Sequence, residues 1–128
     1  MTASEAARRW AEVWTRAWPN ADVEAIAGLY APGAAYFSHP FRTRTTAREY
    51  VEAVFAAQAA AECRFGEPLV AGDRAAVDWW GVITGKDGSV ETVAGTSLLR
   101  FGADGLVVEQ RDAWAGVPER RELPIWAP

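Results

Sequence analysis

The stretch that decides the fold runs from residue 75 to residue 114 and reads AAVDWWGVITGKDGSVETVAGTSLLRFGADGLVVEQRDAW. Apolar and polar residues alternate along it with a period of two, which is typical of β-strands. Turn residues at 85–88, with an Asp-Gly step, and at 103–105 divide the stretch into three segments. We therefore predict consecutive antiparallel strands over residues 75–84, 90–101 and 106–114.

The chain before this stretch has mostly the period of a helix. Trp10, Trp14 and Trp18 lie four residues apart in an alanine-rich segment that begins near Ser4, so they share one face of a first helix. The remaining predicted elements are a helix over 23–30, a strand over 34–39, a helix from 46 to about 61, a strand over 65–70 and an irregular tail over 116–128.

Helices followed by an antiparallel meander predict the α+β class. The 128 residues are the size of one domain, which we place at 1–128. A chain of this length buries enough surface for one core without disulfides or metals.

Composition excludes several classes of function. A net charge of -4 with scattered basic residues argues against a nucleic-acid partner. The chain has a single cysteine, Cys63, and a single histidine, His39, so we expect neither an internal disulfide nor a metal site. No segment has the length and apolar character of a membrane span, and we expect a cytoplasmic protein without a membrane partner.

The aromatic content points to a ligand. Seven Trp and five Phe exceed what a minimal core of this size requires. Large rings of this kind commonly form the walls of small-molecule pockets. We therefore expect a deep pocket for a small apolar or aromatic molecule.

Three segments carry a resemblance to a known family: LYAPGAAYFSHP (29–40), AGDRAAVDWWG (71–81) and AGTSLLRFGADGLVVEQRDAW (94–114). In this order and spacing they resemble the SnoaL-like branch of the nuclear transport factor 2-like superfamily. The resemblance implies a curved antiparallel sheet wrapped around three N-terminal helices, with a conical cavity between them. Family members include ketosteroid isomerase, limonene epoxide hydrolase and polyketide cyclases, so the fold alone does not fix a reaction.

Resemblance to limonene epoxide hydrolase places Asp78 and Asp112 at that enzyme's catalytic aspartates, both pointing into the cone. Tyr36 and Ser38 then take the positions of its water-holding residues. Two carboxyls in an apolar site differ in pKa, so one serves as acid and the other as base. The sequence departs from this pattern at Ala76, where the enzyme has an arginine, and at Ser38, where it has an asparagine. The structural alternatives are an Asp78 on a solvated or dimer-facing side of the sheet and an Asp112 that pairs with an arginine or caps the tail.

Resemblance to ketosteroid isomerase places His39, just before Pro40, at the position of the general base. A histidine suits proton abstraction at neutral pH, although a lone histidine also serves structural roles. Trp14 and Ser97 occupy the positions of the oxyanion hole, and neither is acidic enough to stabilise a dienolate, so we do not expect steroid isomerisation. The candidate catalytic residues are therefore Asp78, Asp112, His39 and Tyr36, and the candidate ligand-binding residues are Trp14, Ser38, Trp80, Ser97 and Trp114.

Adjacent Trp79 and Trp80 must lie on opposite faces of their strand, and alternation does not decide which one faces the cone. The outer ring would be exposed, which predicts a homodimer through the outer sheet face. Three functions remain open. They are a cofactor-free acid–base enzyme of hydrolase, isomerase or cyclase type, a non-catalytic ligand-binding or accessory protein, and a structural dimerisation module with a vestigial pocket.

Overall fold

The computed structural model of the protein describes residues 1–124, so the last four residues of the predicted tail lie outside the described residues. Within residues 1–124 the elements are α1 (Ala3–Ala17), α2 (Val23–Ala27), β1 (Tyr30–Phe37), α3 (Ala47–Ala57), β2 (Gln58–Phe65), β3 (Leu69–Ala71), β4 (Arg74–Gly85), β5 (Val90–Phe101) and β6 (Val107–Val117). The predicted α+β class is confirmed.

The strands form one curved, unclosed sheet in the order β1-β6-β5-β4-β2, with β3 also paired to β4. Strands β4, β5 and β6 make the predicted antiparallel meander. Strand β1 runs parallel to β6, so the sheet is mixed rather than wholly antiparallel. The long strand β4 pairs with β3 along its first residues and with β2 along its later ones.

Helix α1 covers the inner face of the sheet because its sequence is apolar on one side. Thr2 accepts a hydrogen bond from the Glu5 backbone while the Glu5 side chain accepts one from the Thr2 backbone, a capping box that fixes the start of the helix. Trp10 and Trp14, one turn apart, are buried on the predicted face. Gly81 on β4 lies beneath Trp18, where an added Cβ would meet the indole ring.

The largest difference from the sequence prediction lies at residues 58–65. The alanine-rich run before Cys63 predicts a continuing helix, yet α3 ends at Ala57 and β2 begins at once. Residues 60–65 pair with 79–84 of β4, and these sheet contacts override the high intrinsic helix propensity of the alanines, because tertiary contacts outweigh propensity. The predicted strand at 65–70 shrinks to the three residues of β3.

Helix α2 is also shorter than predicted, and β1 starts earlier. The helix ends at Ala27, and Tyr30 is already paired with Val107 of β6. This pairing brings the Tyr30 side chain to the sheet rather than to a helix end. None of the helices in residues 1–124 has the length and apolarity needed to cross a bilayer.

Candidate functional site

A cavity of about 210 Å³ lies between the helices and the inner face of the sheet. Its wall is mostly aromatic, and the rings that line it are Trp10, Trp14, Trp18, Tyr36, Tyr50, Phe55, Phe65, Trp79 and Trp114. Many of these rings meet edge to face, as Trp14 and Trp18 do at 86° with centroids 6.2 Å apart, a favourable arrangement for π systems. The exposed residues Arg42 and Glu91 also line the cavity and so mark its mouth.

Strand register determines which carboxyl groups reach the cavity. Asp112 lies opposite Ser97 of β5, and Ser97 lies opposite Val77 of β4, so these three side chains share the inner face. Asp78 directly follows Val77 on β4 and lies opposite Thr96. Because successive side chains of a strand point to opposite faces, Asp78 is on the outer face. It is exposed there and accepts a hydrogen bond of 2.7 Å from the Thr96 hydroxyl. The prediction that Asp78 points into the cone is wrong, and the paired-carboxylate site does not exist.

Asp112 is a single buried carboxyl in the cavity wall, with 8% of its surface exposed. Its Oδ1 accepts hydrogen bonds from the Ser97 hydroxyl at 2.6 Å and from the Gln110 side-chain nitrogen at 2.9 Å. Its Oδ2 accepts one from the Tyr36 hydroxyl at 3.2 Å. Ser97 accepts in turn from the indole N–H of Trp79 at 2.9 Å. Tyr36, Ser97 and Gln110 therefore donate directly to the carboxylate, and Trp79 donates to Ser97 behind them.

A second chain of hydrogen bonds reaches Asp112 from helix α1. The indole N–H groups of Trp10 and Trp14 donate to the Tyr30 hydroxyl at 3.1 and 3.3 Å, and that hydroxyl donates to Gln110 Oε1. An indole nitrogen can only donate, so the Tyr30 hydroxyl accepts from both tryptophans and uses its own O–H as a donor to Gln110 Oε1. With its oxygen facing Tyr30, the Gln110 amide has its nitrogen facing Asp112. The network is therefore polarised towards the carboxylate.

Burial dominates the electrostatics of Asp112. Loss of water raises the pKa of its carboxyl to about 6, while the hydrogen bonds from Ser97, Gln110 and Tyr36 lower the pKa and limit the increase. Burial and the nearby Asp112 raise the pKa of the Tyr36 hydroxyl well above its ordinary value, so this hydroxyl keeps its proton. The causes of the shift at Asp112 are burial and these three neutral hydrogen-bond donors. The site therefore holds a carboxyl that gains and loses its proton near neutral pH.

Ser38 and His39 lie beside the cavity without lining it. The Ser38 carbonyl accepts a hydrogen bond from the Trp114 indole at 2.6 Å, and its hydroxyl accepts one from Arg42 at 3.2 Å. The His39 ring packs edge-on against Trp114 with centroids 5.3 Å apart, and its Nδ1 accepts from the Phe41 backbone. These two residues position Trp114 and Arg42, and the structure does not bring His39 together with Asp112.

The tryptophan pair on β4 is divided between the two faces of the sheet. Trp79 lines the cavity, whereas Trp80 lies on the outer face, so the predicted ligand contact of Trp80 is wrong. Trp80 is only 4% exposed and shares a depression with residues of the segment 118–124. Thr92 anchors that segment by donating to the Glu119 carbonyl and accepting from the Arg121 backbone. The expectation of an exposed outer ring, on which the predicted dimer depended, is therefore wrong.

Trp14, Tyr36, Ser97 and Trp114 line the cavity, as Asp112 does. Sequence reasoning left Trp79 and Trp80 as alternatives for the inner ring, and Trp79 is the one that lines the cavity. It missed Gln110 and Tyr30 in the network, Trp10 in the wall, and Tyr50, Arg42 and Glu91 nearer the mouth. Alternation already placed Gln110 on the face of Asp112. Tyr30 carried no signal, because its role depends on the parallel pairing of β1 with β6. Within residues 1–124 no three His, Cys, Asp or Glu side chains group as a metal ion requires.

Comparison with known proteins agrees with this architecture. The model of the SnoaL-like domain matches residues 7–110, most of the chain. The chain belongs to the SnoaL-like family. The predicted resemblance to that family is thereby confirmed. No curated protein matches the sequence.

Solved structures show the same nuclear transport factor 2-like fold. The epoxide hydrolase/cyclase-like enzyme SalBIII of salinomycin pyran-ring formation is 17% identical, with 87% of this chain and 91% of that chain covered and a TM-score of 0.74. A hypothetical protein with a ketosteroid isomerase-like fold from Catenulispora acidiphila, in complex with trimethylamine, is 20% identical. The match covers 79% of this chain and 81% of that chain, with a TM-score of 0.67. An NTF2-like protein of unknown function from Exiguobacterium is 18% identical. That match covers 86% of this chain and 98% of the other, with a TM-score of 0.70. At these identities the likeness concerns the fold alone.

Proposed function

We propose that this SnoaL-like protein is a cofactor-free acid–base enzyme in which Asp112 transfers a proton to or from a small, largely apolar molecule. The observation that carries the proposal is a single carboxyl, buried in an aromatic cavity, with a pKa of about 6. A general acid or base is most effective when its pKa lies near the working pH. Buried carboxyls with strongly shifted pKa values cluster at functional sites.

The size of the cavity supports a small ligand. An engineered apolar cavity of about 150 Å³ binds benzene, so a cavity of about 210 Å³ accommodates a compact molecule with one ring. The aromatic walls would exclude water and hold the apolar part of the ligand by contact.

Asp112 also has a site left for a ligand. A carboxylate offers about four lone-pair positions, and side chains among residues 1–124 occupy three of them. Oδ2 accepts only the Tyr36 hydroxyl, so a bound molecule can exchange its proton there. Tyr36, Ser97 and Gln110 hold the carboxyl in one orientation, which is the positioning that proton transfer requires.

Exchange of deuterium from solvent tests this proposal for any compound that enters the cavity. Small cyclic alkenes, enones and epoxides are first screened for binding by quenching of Trp fluorescence, and the compounds that bind are then incubated with the protein in D₂O. We expect at least one of them to acquire deuterium at carbon, detected by mass spectrometry. Asp112→Asn should abolish this exchange, while the matched control Asp78→Asn, on the outer face, should retain it. Equal exchange with and without Asp112 contradicts the proposal.

Non-catalytic ligand binding is the second candidate. Both carboxyl oxygens of Asp112 accept hydrogen bonds from neighbouring side chains. A buried carboxyl with such partners can serve to hold the fold together without taking part in a reaction, which favours this alternative. Under this alternative, the same compounds quench Trp fluorescence, yet none of them exchanges a proton with solvent. The experiment therefore separates the two functions.

A further inference from the structure

We propose, resting on the proton-transfer role given to Asp112, that this cavity selects small molecules that carry or develop a positive charge. The proposal therefore specifies the charge of the ligand that the cavity binds. Three features of the cavity support it.

The first feature is an unbalanced charge. Deep in the cavity the Asp112 carboxylate is surrounded by neutral side chains, and each polar neighbour only donates hydrogen bonds to it. Among the residues that line the cavity within 1–124, the one basic side chain is Arg42. Its guanidinium lies over the Trp114 ring, 5.4 Å from the centroid, and belongs to an exposed residue at the mouth. A ligand cation would supply the missing partner of the buried carboxylate.

The second feature is the chemistry of the wall. The indole N–H groups of Trp10, Trp14, Trp79 and Trp114 all donate to protein acceptors: the first two to Tyr30, the third to Ser97 and the last to the Ser38 carbonyl. A ligand therefore meets ring carbons of these residues rather than their donors. The fifth indole in the wall, that of Trp18, has its N–H buried and without a partner among residues 1–124. Aromatic rings attract cations through their π electrons, and cages of such rings recognise quaternary ammonium groups.

The third feature is that the hydrogen-bond donors around Asp112 are all in use. An enolate or alkoxide formed in the cavity would need hydrogen-bond donors aimed at its oxygen. The donors nearest to Asp112, on Ser97, Gln110 and Tyr36, are already directed at its carboxylate. An anion formed beside Asp112 would therefore find no free donor on the three side chains that bind the carboxylate, whereas a cation there would be stabilised by both the carboxylate and the rings.

One balanced reaction of this class is a shift of a carbon–carbon double bond. Neutral Asp112 gives its Oδ2 proton to one alkene carbon, and the π electron pair forms the new C–H bond and leaves the other carbon positive. The Asp112 carboxylate then removes a proton from a neighbouring carbon, and that C–H electron pair forms the new double bond. Asp112 ends in its starting state and no other reactant is consumed.

An isosteric pair of ligands tests the inference directly. Phenyltrimethylammonium and tert-butylbenzene have nearly the same shape and differ in carrying N⁺ or C at the branch point. At pH 8 we expect the wild-type protein to bind phenyltrimethylammonium at least tenfold more tightly, measured by quenching of Trp fluorescence. Asp112→Asn should reduce this preference to threefold or less, whereas Asp78→Asn should keep the full preference.

The outcomes distinguish this inference from the proposed function. Equal or tighter binding of tert-butylbenzene to the wild-type protein overturns the charge selection and leaves the proton-transfer proposal standing. A preference that survives in Asp112→Asn also overturns it, because the carboxylate would then play no part. If neither compound binds, the ligand cavity is refuted and both proposals fail. The wild-type comparison decides the question even if a variant does not fold.

Discussion

Replacing Asp112 with Asn should change how the stability of the protein depends on pH. The folded protein holds the Asp112 proton with a pKa of about 6, against an ordinary value of 3.8. At about 1.36 kcal/mol per pH unit, this difference corresponds to about 3 kcal/mol. The folded state binds the proton more tightly than the unfolded state, so its contribution to stability is complete below pH 3.8 and is lost as the pH rises through about 6.

Asn has the same shape and does not ionise. The free energy of unfolding of Asp112→Asn, minus that of the wild type, should therefore increase by about 2.4 kcal/mol between pH 4 and pH 7.5, whatever its value at pH 4. Urea denaturation at five pH values measures this difference, and the other carboxyls cancel because both proteins share them. Asp78→Asn removes the same charge from the outer face and controls for net charge. A difference that stays constant, or that decreases with pH, would refute the buried-carboxyl account.

Three substitutions probe the surroundings of the site. Ser97→Ala should raise the Asp112 pKa by about one pH unit, because the Ser97 hydrogen bond lowers this pKa more than the other hydrogen bonds do. A ¹³C NMR titration measures the shift, and an unchanged or lower pKa would contradict the geometry. Trp80→Ala should destabilise the protein by about 3–5 kcal/mol in urea denaturation, since its ring is buried on the outer face; a loss below about 1 kcal/mol would contradict the burial of this ring. Gly95→Ala should destabilise it by about 3 kcal/mol, because the new Cβ would collide with the Ala113 carbonyl of β6; a neutral effect would contradict the β5–β6 packing.

Local chemistry was sufficient to predict much of the sheet. Strand β5 spans Val90–Phe101, as its alternation and flanking turns indicate, and β4 and β6 differ from prediction by only a few residues at their ends. The row of tryptophans on α1 also lies on the predicted face. Each of these features depends on neighbours close in sequence, which is why spacing alone reveals them.

The site depended on information that spacing does not contain. Alternation sorts Asp78 and Asp112 each onto a face of its own strand, but the pairing of β4 through β5 to β6 decides whether the two faces coincide. They do not, and the carboxyls lie on opposite sides of the sheet. Tyr30 was unpredictable for a similar reason, since it enters the network through the pairing of β1 with β6 across most of the chain.

The central claim is that one carboxyl in the aromatic cavity titrates near neutral pH, and it is tested most directly by following that carboxyl. With aspartate labelled by ¹³C at the side-chain carboxyl, NMR spectra between pH 3 and pH 9 report each aspartate, and the signal that Asp112→Asn removes identifies Asp112. The account predicts a midpoint near 6 for that signal, well above the ordinary value of 3.8. A midpoint at or below 4 would show that the carboxyl is solvated or paired with a cation, and the proton-transfer proposal would then lose its basis.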